Sequence, residues 1–258
     1  MLGYRFHRAI FLFCLYAAIA SIPFSRAALS ICIIAQAINW LLEGQFRKKW
    51  QRFRKNPGIG LMASFYLAGL LGTLYSQDTA EALKYLRVSL PIFFLPLVIG
   101  TSEQLSLRHI KTTIYVLYAS VLVNMAVSLM LFTGLLPYEV HNFREYAFFC
   151  SHIRLSLYAD IGIFSAIYLL GYQHKKLNKP ERIAIAGIIP LFTLYLLFLK
   201  SLSGILILFL LAGLLLIKAG LQRPGLWRYL STALLIGLPL GGFWALRTIY
   251  MHNFQSPP

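Results

Sequence analysis

Apolar side chains fill long, nearly unbroken runs of this chain, and polar or charged residues gather in the short gaps between them. A helix needs about 20 predominantly apolar residues to cross roughly 30 Å of hydrocarbon, and the runs have that length. The pattern predicts nine spanning helices, at 9–24, 27–42, 58–75, 82–100, 112–133, 152–172, 183–199, 203–219 and 229–246. Arg5 and Arg8 ahead of the first run, with Ala18-Ile19-Ala20 inside it, would also suit a signal peptide. A second apolar run follows directly after Pro23, however, so the two read as a tight hairpin. The fold class expected is an all-α, polytopic transmembrane helix bundle, a single transmembrane domain over residues 1–258.

Composition extends this to the whole chain. Of 258 residues 59% are apolar and only 12% charged, and the mean hydropathy of +0.69 is too high to come from one anchor. Nine spans take about 180 residues, and what remains for loops and tails leaves no room for a soluble domain. Chemistry must therefore lie on helices and the short segments joining them. The net charge of +16 invites a nucleic-acid reading, which its placement between apolar runs excludes. With a cytoplasmic N-terminus, 17 of the 24 Lys and Arg fall on inner segments, densest in the loop 46–55. The other seven, Arg26, Lys84, Arg87, Arg144, Arg154, Lys200 and Arg247, lie at or near outer ends. The expected topology is N-terminus inside and C-terminus outside. The 46–55 cluster could in addition contact anionic lipid. Cys14, Cys32 and Cys150 show no C-x-x-C spacing and read as small buried residues.

Polar residues within spans carry the remaining information, because lipid-facing placement of a central Arg, Lys or Asp costs at least about 2.5–3.5 kcal/mol. His152, Ser156 and Asp160 recur at i, i+4 and i+8, which stacks them on one helix face, with Asp160 about 12 Å below the outer end. That stripe must face a bundle interior or a wet cavity, as a structural polar seam or as a functional one. A serine-protease triad is a poor reading, since the three form a column and nothing supplies an oxyanion hole. Arg154 points about 200° away from His152, where it could hold a phosphate or diphosphate in its planar fork, or snorkel to the interface. Lys84 and Arg87 make a two-charge patch that suits an anionic ligand or pairing with Asp78 or Glu81. In the turn Lys200-Ser-Leu-Ser-Gly204, a cation and two hydroxyls at a helix start could bind an anion, or Ser201 or Ser203 could serve as an ordinary N-cap. Gly58-Ile-Gly60-Leu-Met-Ala63 matches a dinucleotide fingerprint in letters only, since no strand precedes it, and no metal-ligand spacing is present.

Five segments, in this order, resemble the bacterial O-antigen ligase and O-antigen polymerase family, membrane glycosyltransferases of the periplasmic face. They are the N-terminal hairpin with the basic loop 46–55, Gly72-Thr-Leu-Tyr-Ser-Gln-Asp78, Leu90-Pro-Ile-Phe-Phe-Leu-Pro-Leu97, Ser151-His-Ile-Arg-Leu-Ser-Leu157 and Lys200-Ser-Leu-Ser-Gly-Ile-Leu206. The resemblance implies a multi-pass protein of the bacterial inner membrane. It would transfer a glycan from undecaprenyl diphosphate to an acceptor sugar, on lipid A-core or on growing O-antigen. It implies no cofactor, no nucleotide sugar and no metal; membrane lipids would surround the protein, and no nucleic acid would bind. Arg154 and Lys200 would contact the diphosphate, Lys84, Arg87, Arg144 and Arg247 would support it, and His152 would be the base for the acceptor hydroxyl.

Two departures qualify the likeness. Where the family has Arg in Ser-Arg-(Ser/Thr)-Gly, this chain has Leu202. The family's long periplasmic loop, with a further Arg and a general-base His, and its last spans have no counterpart before Pro258, and His252 lies in no matching motif. The expectation is a truncated form resembling the N-terminal two-thirds, with little or no transferase activity. Two alternatives remain open: a secondary transporter or flippase-like protein using Asp160 as a proton or ion relay, and a non-catalytic remnant or partner subunit.

Overall fold

The computed structural model describes residues 2–138, 142–173 and 176–221. Every regular element among them is helical: α1 (Leu2–Ser21), α2 (Arg26–Glu43), α3 (Phe46–Lys55), α4 (Pro57–Leu74), α5 (Thr79–Thr101), α6 (Leu107–Phe132), α7 (His152–Tyr172), α8 (Lys179–Phe198) and α9 (Leu202–Leu221). A short 3-10 turn, Phe143–Tyr146, lies between α6 and α7. The expected ninth span, 229–246, and Arg247 lie outside the described residues.

Five helices, α2, α5, α6, α7 and α8, are long and apolar enough to cross a membrane. Shorter apolar stretches fill Pro57–Thr73 of α4 and Leu202–Lys218 of α9. Large apolar side chains stand outward along them: Leu61 and Phe65 on α4, Val88 on α5 and Leu194 on α8 are each more than half exposed. Leaving such a side chain in water instead of burying it forfeits about 1.5–3 kcal/mol, a loss that hydrocarbon removes. Among the described residues the protein is all-helical, and its long apolar helices are those of a membrane protein.

Helix boundaries follow from local chemistry. Ser25 accepts a bond from the N–H of Ala28 and starts α2, Asn56 accepts from Gly58 ahead of α4, and Asp78 accepts from Glu81 ahead of α5. Pro57 and Pro180 occupy first-turn positions, where a missing N–H leaves no bond unmade. Glu181 reaches back to accept from the N–H of Asn178 at 3.1 Å. Beyond α2 the chain passes through two left-handed residues, Gly44 (φ 65°) and Gln45 (φ 51°), and enters α3.

Helix α3 differs from expectation, because the basic run 46–55 is a helix and not a loop. Two of its cations turn inward to helix C-termini. Lys49, buried, donates to the carbonyl of Trp40 near the end of α2 and pairs with Glu43 at 2.9 Å. Its ammonium also sits 4.5 Å from the centre of the Trp40 ring. Arg52 donates to the carbonyl of Thr101, the last residue of α5, at 3.0 Å. The final carbonyls of a helix lack partners within it, and cations near them complement the helix dipole.

The chain divides into two compact units, residues 1–117 and 118–258, with the division inside α6. In the first, Phe11 and Leu15 of α1 meet Val98 of α5, flanked by Trp40 and Phe94. The Trp40 indole N–H donates to the Thr101 hydroxyl at 2.9 Å, and His7 and Asn39 bond each other between α1 and α2.

In the second unit Leu155, Ile163 and Leu169 of α7 and Phe192 and Leu196 of α8 are almost fully buried. The helices approach closely at Gly162, where an added Cβ would stand 2.5 Å from the Phe192 ring. Small residues permit such approaches between membrane helices, where packing and not water exclusion drives association. Gly162→Ala should force the ring or the helices apart, at about 1–3 kcal/mol. Its melting temperature in detergent should fall, whereas Gly187→Ala, with open space at the Cβ position, should melt as the parent does. Equal melting of both variants would show that α7 and α8 do not meet there.

Candidate functional site

One end of the second unit collects most of the polar chemistry. Three segments come together there: the 3-10 turn 143–146, the start of α7, and the turn from α8 into α9. An aromatic layer lies beneath them. The ring of Phe198 packs against Phe132, Tyr146 and Tyr195 at centroid distances between 5.4 and 6.2 Å. The buried hydroxyl of Ser128 donates to the carbonyl of Tyr146 at 2.7 Å and lies 2.8 Å from the Tyr195 hydroxyl. These contacts fix the 3-10 turn to α6 and α8.

Above that layer the cations are displayed. Arg144 is exposed on the 3-10 turn, and Arg154 is exposed in the first turn of α7. Neither guanidinium has an ion-pair partner among the described residues. His152, half-buried at the first position of α7, lies within electrostatic reach of Arg144. Lys200 is exposed in the α8–α9 turn, with a left-handed backbone (φ 48°) that reverses the chain within a few residues. Cys150 lies within electrostatic reach of both Arg154 and Tyr195. Burial pushes its thiol above the ordinary value, and the Arg154 charge acts in the opposite direction.

Below the rim the polar residues close on themselves. Ser156 and Ser201 are both buried, and their hydroxyls bond each other at 2.8 Å. Ser156 donates on to the carbonyl of Ile153, and Ser203 stands 3.2 Å from Ser201. The hydroxyls of the 200–204 turn thus face α7 and are not displayed as anion donors. Ser201 also caps α9, accepting from the N–H of Gly204 at 3.5 Å. An added Cβ at Gly204 would stand 2.6 Å from the Cβ of Ser156, so glycine allows the turn to seat on α7. One helical turn below Ser156, Asp160 is 2% exposed, and neither carboxylate oxygen has a hydrogen-bond partner among the described residues.

The predicted site residues thus separate. Arg144, His152, Arg154 and Lys200 share one end of the second unit, with Ser156 and Asp160 inside it. Lys84 and Arg87 belong to the first unit. Both are exposed on α5, and Lys84 lies 3.9 Å from Glu81 in a solvent-exposed pair. Such a pair contributes little. Asp78 caps α5 through Glu81. The Ser128–Tyr195–Tyr146 link escaped sequence reasoning, because nothing in the spacing of a serine and two tyrosines from different helices marks them as neighbours. Among the described residues no group of His, Cys, Asp and Glu is placed to hold a metal ion, and all three cysteines are free thiols.

No family model matches the chain, and no curated protein or solved structure is significantly similar to it.

A buried polar group without a partner costs about 1–3 kcal/mol. Asp160→Leu, which removes both orphaned oxygens at similar volume, should therefore raise the melting temperature in detergent, and Asp160→Asn should not lower it. A marked loss of stability in both would show that Asp160 has a partner essential to folding.

Proposed function

We propose that the outer end of the second unit binds the diphosphate of a polyprenyl-linked glycan, and that the protein is an O-antigen ligase- or polymerase-like glycosyltransferase of the bacterial inner membrane. The topology that goes with it is nine spans, N-terminus cytoplasmic and C-terminus periplasmic. One observation carries the proposal: Arg144, Arg154 and Lys200, from three separate segments, are exposed around the half-buried His152 at one end of the unit. Against the positive-inside tendency, such a gathering on the outer side calls for an anionic ligand. Two guanidiniums without acidic partners among the described residues suit diphosphate, since each planar fork offers paired donors to phosphate oxygens.

The reaction proposed is a glycosyl transfer. The acceptor hydroxyl attacks the anomeric carbon of the donor glycan and forms a new glycosidic bond. The bond from that carbon to the diphosphate oxygen breaks, and undecaprenyl diphosphate leaves with the electron pair. His152 takes the acceptor's proton, and the cations neutralise charge growing on the leaving diphosphate.

A second reading has its own support. Asp160, buried with both oxygens unpartnered, suits a proton relay in a transporter. The two are separable by experiment. A charge-assisted bond contributes about 1.5–3 kcal/mol, so Arg154→Ala should weaken binding of undecaprenyl diphosphate to the purified protein about tenfold or more. Arg154→Lys should restore only part, because an ammonium lacks the fork. Unchanged binding in both variants would remove the diphosphate site. Asp160→Asn should leave this binding intact; abolition of pH-gradient-driven uptake by that variant would instead favour transport.

A further inference from the structure

Helix α3 has a second surface, independent of the glycan proposal. Lys49 and Arg52 are committed to the ends of α2 and α5, but Arg47, Lys48, Arg54 and Lys55 are all exposed. At 100° per residue these four, with Gln51, occupy one continuous arc of the helix. Phe46, Trp50 and Phe53 occupy a separate arc, about 60° wide and centred about 130° from the cationic one. Phe46 and Trp50 are 56% and 61% exposed, although they are the largest apolar groups on the helix. Trp50 and Phe53 stack on each other at 5.4 Å, and Phe46 meets Trp40 edge-on at 5.8 Å. The aromatic arc is thus ordered by its neighbours yet left uncovered.

Its place in the chain decides what covers it. Helix α2 ends at Glu43 and α4 begins at Pro57, so α3 joins the ends of two apolar helices. At ten residues it is far too short to span hydrocarbon. A helix with aromatics on one side and Lys and Arg on the other lies in the interfacial plane, its apolar side at the acyl boundary and its charges among headgroups. Trp favours this depth because its ring is apolar while its N–H can reach water.

We propose that α3 is an interfacial helix that binds anionic phospholipid headgroups at the membrane face where α2 ends and α4 begins. Trp50 and Phe46 insert at the acyl boundary, and Arg47, Lys48, Arg54 and Lys55 engage the phosphates. Lys49 and Arg52 hold the helix at that level by bonding the carbonyl ends of α2 and α5. The partner is the lipid surface because the helix presents both an uncovered aromatic arc and a cationic arc, a combination that a headgroup layer over hydrocarbon complements along its whole length.

The test uses the full chain in vesicles of phosphatidylcholine mixed with phosphatidylglycerol. Electron paramagnetic resonance of spin-labelled lipids reads the composition of the shell around the protein. The parent should enrich phosphatidylglycerol over phosphatidylcholine about threefold or more. The variant Arg47→Gln, Lys48→Gln, Arg54→Gln, Lys55→Gln should lose most of that enrichment. A control with the same number of exposed charges removed elsewhere, Arg5→Gln, Arg108→Gln, Lys179→Gln, Arg182→Gln, should keep it. Equal loss in both would assign the enrichment to net charge and overturn the proposal, as would an unselective shell in the parent. The Trp50 signal, taken as the difference between parent and Trp50→Phe, should be quenched by lipids brominated near the headgroup. Quenching by aqueous iodide but not by bromolipid would place α3 in water, as the surface of a soluble acidic partner, and equally overturn it.

Discussion

The carbonyls and amides left over at the ends of a helix need partners from water or from other segments, and each one buried without a partner costs about 1–3 kcal/mol. This protein meets that demand with side chains drawn from other segments, and the demand explains much of its architecture. Lys49 and Arg52 of α3 reach the carbonyls of Trp40 and Thr101. Ser25, Asn56, Asp78, Ser151 and Ser201 serve the amides at helix starts. Because α3 is tied at two points, its outward faces are fixed too, one aromatic and one cationic. A structural requirement thus sets the presentation of a surface.

The second unit shows the same economy at its polar end. Ser201 is at once a helix cap, a partner of Ser156 and part of the turn that displays Lys200. Gly204 lets that turn rest on α7, and the aromatic layer around Phe198 supports the 3-10 turn carrying Arg144. Charged groups end on the rim and neutral hydroxyls end beneath it. This distribution follows from the expense of placing a permanently charged guanidinium inside, against the ease with which hydroxyls satisfy one another. Asp160 is the exception, a carboxyl group buried one turn below the hydroxyls with no partner among the described residues. Such exceptions gather at functional places more often than elsewhere in membrane proteins.

Much of the fold was legible in the sequence, because the bilayer reduces it to the length of apolar runs. The run at 152–172 coincides with α7, and 27–42 lies within α2. Helices α1, α5, α6 and α8 start three to seven residues before their apolar runs, since α1 continues through Arg5 and Arg8 and α8 begins at Lys179, while the end of α1 falls three residues short. Hydropathy sees where apolar character stops, not where hydrogen bonding stops. The loop assigned to 46–55 failed for the same reason. Six basic residues in ten lower the hydropathy so far that the run disappears, yet Phe46, Trp50 and Phe53 recur at helical spacing.

The sequence by itself determined that the protein is helical, that it belongs in a membrane and that most of its charges gather between the apolar runs or near their ends, with Asp160 well inside one. Those properties follow from composition and run length, which the chain carries whatever its packing. Only the tertiary structure decided which charges are spent within the protein and which are displayed. Lys49 and Lys48 are neighbours in an unbroken basic run, yet one is buried against Trp40 and Glu43 and the other is exposed. Ser201 and Lys200 are adjacent in one turn, yet the hydroxyl closes on α7 and the cation faces outward. The physical reason is that a side chain's partner lies on another helix, 9 residues away for Lys49 and 45 for Ser201, and only the packing of those helices brings the two together.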